Sequence, residues 1–314
     1  MPDFLSRDPG FLESLRIAER AAQASSNVLI LGESGTGKSR MARYLHARGA
    51  RASGPFVEIA CANVAPELFE SEVFGHEQGA FTDAREARSG KLELAHHGTL
   101  FLDEIQEFDL ATQAKLLRAI EDKRFERVGG RTTIEVDVRI LSSTRRHPSW
   151  LVEAGLLRAD LLYRLDVLRI EMIPLRERPA DIRPLAEALL LEIAARHDRG
   201  PKRFSPEMLE RLEAHAWPGN VRELRHVIER AAILSASEVL GPDDLPETLS
   251  VAATSMLADA ADREMSLAEV ERAYIEEVLR KTRGNKSAAA RVLGIHRKTL
   301  HEKLRAFATG SDGA

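Results

Sequence analysis

The apolar positions of this chain fall into short runs separated by amphipathic stretches. Val28–Leu31 (VLIL), with polar flanks, predicts a buried strand. Glycine-rich sequence follows, then a helical stretch from Ser39 to about Ala47. Leu100–Leu102 and Val136–Leu141 predict two more strands, and between them Leu110–Glu121 has the spacing of an amphipathic helix. Strands alternating with helices imply a parallel sheet with crossover helices. After Pro174 the pattern changes. Pro179, Pro184, Pro201 and Pro206 punctuate helical runs at 181–197 and 205–215, and Pro218-Gly219 precedes a helix at 220–234. An all-helical region is expected there. Val251–Asp262 is Ala/Ser/Asp-rich and reads as a linker. A terminal helical unit spans Ser266–Phe307, and Thr309–Ala314 is a tail.

Composition supports a two-domain globular chain. Of 314 residues, 44% are hydrophobic, enough for a sizeable core, and only 5% are aromatic, which suits a helix-rich α/β protein. Cys61 is the single cysteine, so an intrachain disulfide and a cysteine-based zinc site are excluded. No apolar run is long enough to span a membrane, and the start MPDFLSRDPGF lacks the pattern of a signal peptide, so no membrane partner and a cytoplasmic location are expected. The net charge is −4 and hides an asymmetry. From Arg280 to Phe307 there are nine basic residues and one acid, Glu302, a net +8 that leaves −12 for the rest. A basic tail on an acidic body points to a nucleic-acid-binding module, although on charge alone a solvated basic helix face is equally open.

Two motifs carry nucleotide chemistry. Gly32–Ser39, GESGTGKS, fits the P-loop pattern directly after a strand and at the start of a helix. Gly32, Gly35 and Gly37 let the backbone amides of the loop, with Glu33, Ser34 and Thr36, curl around phosphates. Lys38 reaches the β- and γ-phosphates, Ser39 is an Mg2+ ligand, and the helix N-terminus favours the anion. Gly98–Ile105, GTLFLDEI, is an apolar strand ending in two acids. Beside a P-loop, Asp103 is suited to hold Mg2+ through water and Glu104 to deprotonate the attacking water. ATP and Mg2+ are the expected cofactors.

With these motifs in place, the chain resembles the bacterial enhancer-binding proteins, sigma-54-dependent transcriptional activators of NtrC type. The resemblance also rests on ESEVFGHEQGAFTDA (Glu70–Ala84), QAKLLRAIEDKRFERVGG (Gln113–Gly130), LRADLLYRLDVLRIEMIPLRERPADI (Leu157–Ile182), WPGNVREL (Trp217–Leu224) and GNKSAAARVLGIHRKTL (Gly284–Leu300), in the family's order. It implies an AAA+ P-loop NTPase fold, a parallel sheet with flanking helices at 1–173 and a helical lid at 174–248. A linker at 249–265, an all-α Fis-type helix-turn-helix domain at 266–308 and a tail at 309–314 would follow.

The resemblance assigns further roles. Arg158 and Arg164 fall where the family places trans-acting arginine fingers; the bland alternative pairs them with Asp160 or Asp166. Thr144 matches the sensor I position and Arg222 the sensor II arginine of the lid. Fingers in trans imply a homo-oligomeric ring, usually a hexamer in this family. Gly79, Ala80, Phe81, Thr82, Asp83 and Ala84 match the loop that grips sigma-54, expected as an insertion in a helix; alone, the segment also reads as a surface turn.

In the last segment, Asn285 is suited to cap a helix, Ala288–Ala290 to close packing, Gly294 to the turn and Ile295 to the core. A second helix, from about Arg297 to Arg305, would lie in the major groove of double-stranded DNA. Arg297, Lys298, Thr299 and His301 are candidate base or phosphate contacts, and Lys286, Lys303 and Arg305 also belong to the expected DNA surface. An amphipathic hairpin used for dimerisation is the alternative. In the preceding stretch, Leu267, Val270, Ile275, Val278 and Leu279 read as a dimer face for DNA-bound dimers.

Three positions depart from the family pattern. Asp83 stands where a second glycine is usual, and Ala60 where an Asn often relays the state of the catalytic Glu; Asn63 lies three residues on. The sensor I segment ends Ser-Thr-Arg rather than Thr-Asn. Hydrolysis is expected to survive, and the strength of its coupling to sigma-54 is left open by these positions. Because the P-loop begins at Gly32, an N-terminal receiver, GAF or PAS domain has no room, and none is expected. The expected function is ATP-driven remodelling of sigma-54 RNA polymerase by a protein bound to upstream activating DNA. Two alternatives remain open: an ATP-controlled DNA-binding regulator without productive sigma-54 contact, and a remodeller of another client.

Overall fold

The computed structural model describes residues 4–61, 68–81, 84–197, 200, 202–246, 271, 272, 274, 275, 278, 279, 282, 286–295, 299, 300, 303 and 304. Its contacts divide the chain into Met1–Leu245 and Pro246–Ala314.

In the first unit, Asp8 starts α1 (Pro9–Gln23): its carboxylate accepts the Phe11 N–H at 2.7 Å, and Pro9 occupies the first turn. β1 (Val28–Leu31) leads through Gly32–Gly37 into α2 (Lys38–Ala47). β2 (Phe56–Ala60), α3 (Phe69–Phe74), the antiparallel pair β3 (Gly75–His76) and β4 (Arg88–Ser89), and α4 (Lys91–Leu94) follow. Then come β5 (Thr99–Asp103), α5 (Leu110–Asp122), the hairpin of β6 (Arg124–Glu126) and β7 (Thr133–Glu135), and β8 (Arg139–Thr144). α6 (Pro148–Glu153), α7 (Ala159–Leu165) and β9 (Leu168–Glu171) complete the α/β part.

One parallel five-stranded sheet has the order β2-β5-β8-β1-β9. Alternation along β5 sends Leu100 and Leu102 to one core, with Phe74, Leu116 and Leu161, and Phe101 to the other, with Phe11, Ile30, Met41 and Ile170. Edge strands β2 (FVEIA) and β9 (LRIE) escape a search for apolar runs because each is interrupted by a charged side chain. The strand expected at Val136–Leu141 is displaced to Arg139–Thr144. Its second half, Ser142-Ser143-Thr144, is fully buried yet has no apolar signal, and the Val136 N–H instead bonds the Lys123 carbonyl. Arg139 is buried because its guanidinium donates to the carbonyls of Ala21 (2.6 Å), Ala22 (3.1 Å) and Ser26 (3.3 Å), at and just beyond the C-terminal end of α1.

The lid consists of α8 (Ile182–Arg196), α9 (Pro206–Ala214) and α10 (Asn220–Leu234). Ser205 caps α9 by accepting the Met208 N–H at 3.2 Å. The region is not wholly helical as expected: β10 (Arg203–Phe204) and β11 (Val239–Leu240) pair in parallel. Trp217 is fully buried between α9 and α10, and its indole N–H donates to the Leu212 carbonyl at 2.8 Å.

In the second unit α11 (Lys286–Val292) ends at a turn where Gly294 has φ +66°, the turn expected of this glycine. Ile275, Val278, Ala289, Ala290 and Leu300 form its small core, with Ile295 packed against it. This corrects the expected dimer face: Ile275 and Val278 are consumed by their own unit's core. Leu267, Val270 and Asn285 lie outside the described residues, as does the linker.

Candidate nucleotide-binding site

The parallel register aligns the carboxyl ends of neighbouring strands, with Leu31 beside Thr144 and Ala60 beside Asp103. The loop after β1 and the acids after β5 therefore meet at one edge of the sheet. A cleft of about 360 Å³ opens there, within the range of small-molecule sites. Its polar wall includes Ser34–Ser39, Asp103, Glu104 and Arg222, and its apolar wall includes Phe4, Leu5, Phe11 and Leu185.

The loop is tied from several sides. Thr36 is buried and its hydroxyl donates to the Glu33 carbonyl at 2.8 Å. Glu33 accepts both Arg176 guanidinium nitrogens, at 2.8 and 2.7 Å, and this pairing holds its pKa below the usual carboxylate range. The Gly32 N–H donates to the Thr144 carbonyl at 3.1 Å. Gly37 has φ +106° and starts α2 without a side-chain cap, which leaves the first helical amides available to an anion.

Lys38 is buried, and its ammonium donates to the carbonyls of Gly32 (2.7 Å) and Glu33 (3.2 Å) and pairs with Glu104 Oε1 at 2.9 Å. Glu104 lies in the left-handed region, φ +62° and ψ +63°, a conformation a non-glycine residue keeps only when its surroundings hold it. Ser143 links the two acids: its hydroxyl donates to Asp103 Oδ1 at 2.5 Å and accepts the Glu104 N–H at 3.0 Å. The Asp-Glu pair is thus bonded to β8, a role for Ser143 that its sequence position does not reveal.

The expectation for Thr144 is corrected. Its hydroxyl is buried, donates to the Arg146 carbonyl (3.1 Å) and accepts the Arg146 N–H (3.3 Å), and the residue does not line the cleft. A single step along a strand reverses the side chain, so Ser143 rather than Thr144 faces the acids. Arg145 donates through its backbone to Glu104 Oε2 at 3.1 Å and through its side chain to Glu107 at 3.0 Å. Ala60, level with Asp103, has no polar side chain, and Asn63 lies outside the described residues.

The lid closes one side. Arg222 Nη1 donates to Ser34 Oγ at 2.9 Å, which puts this arginine beside the Gly32–Gly37 loop. Asn220 of the same WPGNVREL segment carries no sequence signal for a role at this site, yet it ties the loop to the lid. It is buried at φ +52°, donates to Glu33 Oε2 and the Ser34 carbonyl, both at 3.1 Å, and accepts the Leu175 N–H at 2.8 Å.

Arg158 and Arg164 do not line this cleft. Arg158, just before α7, forms a two-point pair with Asp160 at 3.1 and 2.8 Å, which raises its own pKa and lowers that of Asp160. Arg164 is exposed and lines a separate depression with Asn27, Arg51 and Lys123; Asp166 pairs with Arg169 instead.

The Gly79–Ala84 loop is not an insertion in a continuous helix. It rises from the β3–β4 ribbon, with α3 before and α4 after. The Gly79 N–H bonds the Ala84 carbonyl at 2.9 Å, and the half-exposed Phe81 packs in a T-shaped arrangement with His76, their ring centroids 5.0 Å apart. Arg127 ties the loop base at Glu77 (3.1 Å) to Glu93 (2.9 Å). Thr82 and Asp83 lie outside the described residues.

Of the expected DNA contacts, Lys286 is exposed on α11, Thr299 is half-buried and Lys303 pairs with Glu271 at 2.8 Å. Arg297, Lys298, His301 and Arg305 lie outside the described residues. Among the described residues no helix is long and apolar enough to cross a membrane.

Known proteins carry the same assembly of parts. The sigma-54 interaction domain matches residues 4–171, the AAA+ ATPase lid domain 176–261, and the Fis family of bacterial regulatory proteins 266–307. The transcriptional regulatory protein FlbD of Caulobacter vibrioides is 43% identical over 315 residues, covering 96% of this chain and 69% of FlbD. The regulatory protein AtoC of Escherichia coli is 40% identical over 309 residues, covering 96% of this chain and 67% of AtoC. The crystal structure of NtrX from Brucella abortus in complex with ATP is similar at a TM-score of 0.74 and 34% identity, over 97% of this chain and 69% of that one. The three models cover in turn the part of this chain with the glycine-rich loop and the acid pair, its helical lid and its C-terminal unit, and the chain belongs to the sigma-54-dependent transcriptional activators.

Proposed function

We propose that this chain binds and hydrolyses ATP and uses the cycle to remodel sigma-54 RNA polymerase toward open-complex formation while its C-terminal unit holds upstream DNA. The observation that carries the reading is the meeting of Lys38, Asp103 and Glu104 at one sheet edge, with Arg222 reaching in from the lid. In this reading Lys38 and the loop amides bind the phosphates, and Glu104 takes the proton of the attacking water. Asp103 and Ser39 both line the cleft and offer hard oxygen donors that fit Mg2+. Bound there, Mg2+ would neutralise phosphate charge.

Arg158 and Arg164 stand outside their own cleft and are read as fingers for a neighbouring subunit, which calls for a homo-oligomeric ring, a hexamer by family likeness. The Gly79–Ala84 loop, with the exposed edge of Phe81, is the sigma-54 contact. Lys286, Arg297, Lys298, Thr299, His301, Lys303 and Arg305 are the DNA contacts in this reading. A bacterial transcription factor of this kind works in the cytoplasm.

Single-round transcription with sigma-54 holoenzyme, ATP and a promoter with its upstream DNA tests the reading. Transcript that requires ATP and vanishes with Lys38→Ala supports it. Normal ATP turnover and DNA binding without transcript would leave an ATP-controlled DNA-binding regulator as the function, with Asp83 in the loop as the first residue to change.

A further inference from the structure

The Glu104 carboxylate is engaged on both oxygens. Oε1 pairs with Lys38 at 2.9 Å, and Oε2 accepts from the Gln106 side-chain amide at 2.7 Å and the Arg145 N–H at 3.1 Å. Only the nitrogen of the Gln106 amide can face a carboxylate, so its orientation is settled by chemistry. The other end of that amide, Gln106 Oε1, is buried and has no hydrogen-bond partner. Gln106 does not line the nucleotide cleft.

We propose that Gln106 is a positioning residue that latches Glu104 in a non-hydrolysing orientation, and that this hydrogen bond is released before water is activated. The inference rests on the reading of Glu104 as the general base. A base must present a lone pair to the attacking water. Here the carboxylate is turned to an ammonium and two N–H donors. Phosphates compete for Lys38 and thereby free Oε1; Oε2 stays held by Gln106 and the Arg145 backbone. The latch is easily left, because closing it strands the buried Gln106 carbonyl, an uncompensated desolvation. The Arg145 contribution is backbone and survives any substitution, so Gln106 is the removable half.

ATP turnover by the full chain, measured against ATP concentration, tests this. Gln106→Met keeps length and volume and removes the amide. Its kcat is expected to rise about three- to tenfold, the scale of one ordinary net hydrogen bond, with KM for ATP within about twofold. Gln106→Ala, a second route to the same loss, is expected to behave alike if the Met side chain packs poorly. A merely structural role predicts the reverse: lower kcat, higher KM and a lower melting temperature. Unchanged or reduced kcat in a folded variant overturns the latch. If the wild-type chain shows no turnover that depends on Lys38, the hydrolysis reading falls and the latch falls with it, so the two failures are told apart.

Discussion

A Cβ on Gly35 would stand 2.2 Å from the carbonyl oxygen of Gly219. Phosphate loop and lid are therefore in backbone contact, at a residue whose φ of +81° already favours glycine. Gly35→Ala is expected to push the lid off the loop and weaken ATP binding by about tenfold or more. Titration with a fluorescent ATP analogue checks this; wild-type affinity would mean the contact is dispensable.

Glu104→Gln keeps the shape of the side chain and removes the proposed base. ATP is expected to bind normally while turnover falls by about 100-fold or more. Filter binding beside a steady-state assay separates the two. Near-normal turnover would remove Glu104 from the proposed chemistry.

The exposure of Arg158 and Arg164 away from their own cleft leads to a mixing experiment. Arg158→Ala and Glu104→Gln chains are each expected to be nearly inactive. Mixed, they form some interfaces in which an intact Glu104 meets an intact Arg158, and part of the activity returns. Failure of mixtures to exceed either parent, in assemblies shown to contain both chains, would argue for a role in cis.

Arg139 stabilises the end of α1 through three carbonyls. Arg139→Met strands these acceptors and is expected to cost about 2–4 kcal/mol of stability. Urea denaturation followed by far-UV circular dichroism measures it; a change below about 0.5 kcal/mol would show that the carbonyls find other partners.

Burial lowers the pKa of His215, whose Nδ1 accepts the Trp217 N–H at 3.0 Å, and burial also lowers that of His46. The folded chain therefore binds these protons less readily than the unfolded chain. Their contribution to stability is present above the ordinary histidine pKa and is lost as pH falls through it toward the folded value. The melting temperature is expected to drop from about pH 7.5 to about pH 5.5, and His215→Gln to flatten part of that slope. An unchanged slope in the variant would assign the effect elsewhere.

Elements whose buried positions are apolar were legible in the sequence. Val28–Leu31 and α10 match their expected bounds, because a central parallel strand is continuously apolar and a lid helix is amphipathic. The two edge strands and the polar end of β8 were not, since Glu58, Arg169 and Ser142–Thr144 carry no hydrophobic signal.

The same division runs through the site. Residue type and spacing alone determined the P-loop and the Asp103–Glu104 pair, because phosphate and Mg2+ demand particular groups within a few residues of one another. Only the tertiary structure decided that Ser143 rather than Thr144 faces those acids, that Asn220 ties the lid to Glu33, and that Gln106 holds Glu104. The first depends on strand register and the second joins positions 187 residues apart. The third depends on a backbone turn that brings Gln106 back onto its near neighbour. The first two are set by where the chain returns in space, and the third by a left-handed turn at Glu104, none of which residue type alone encodes.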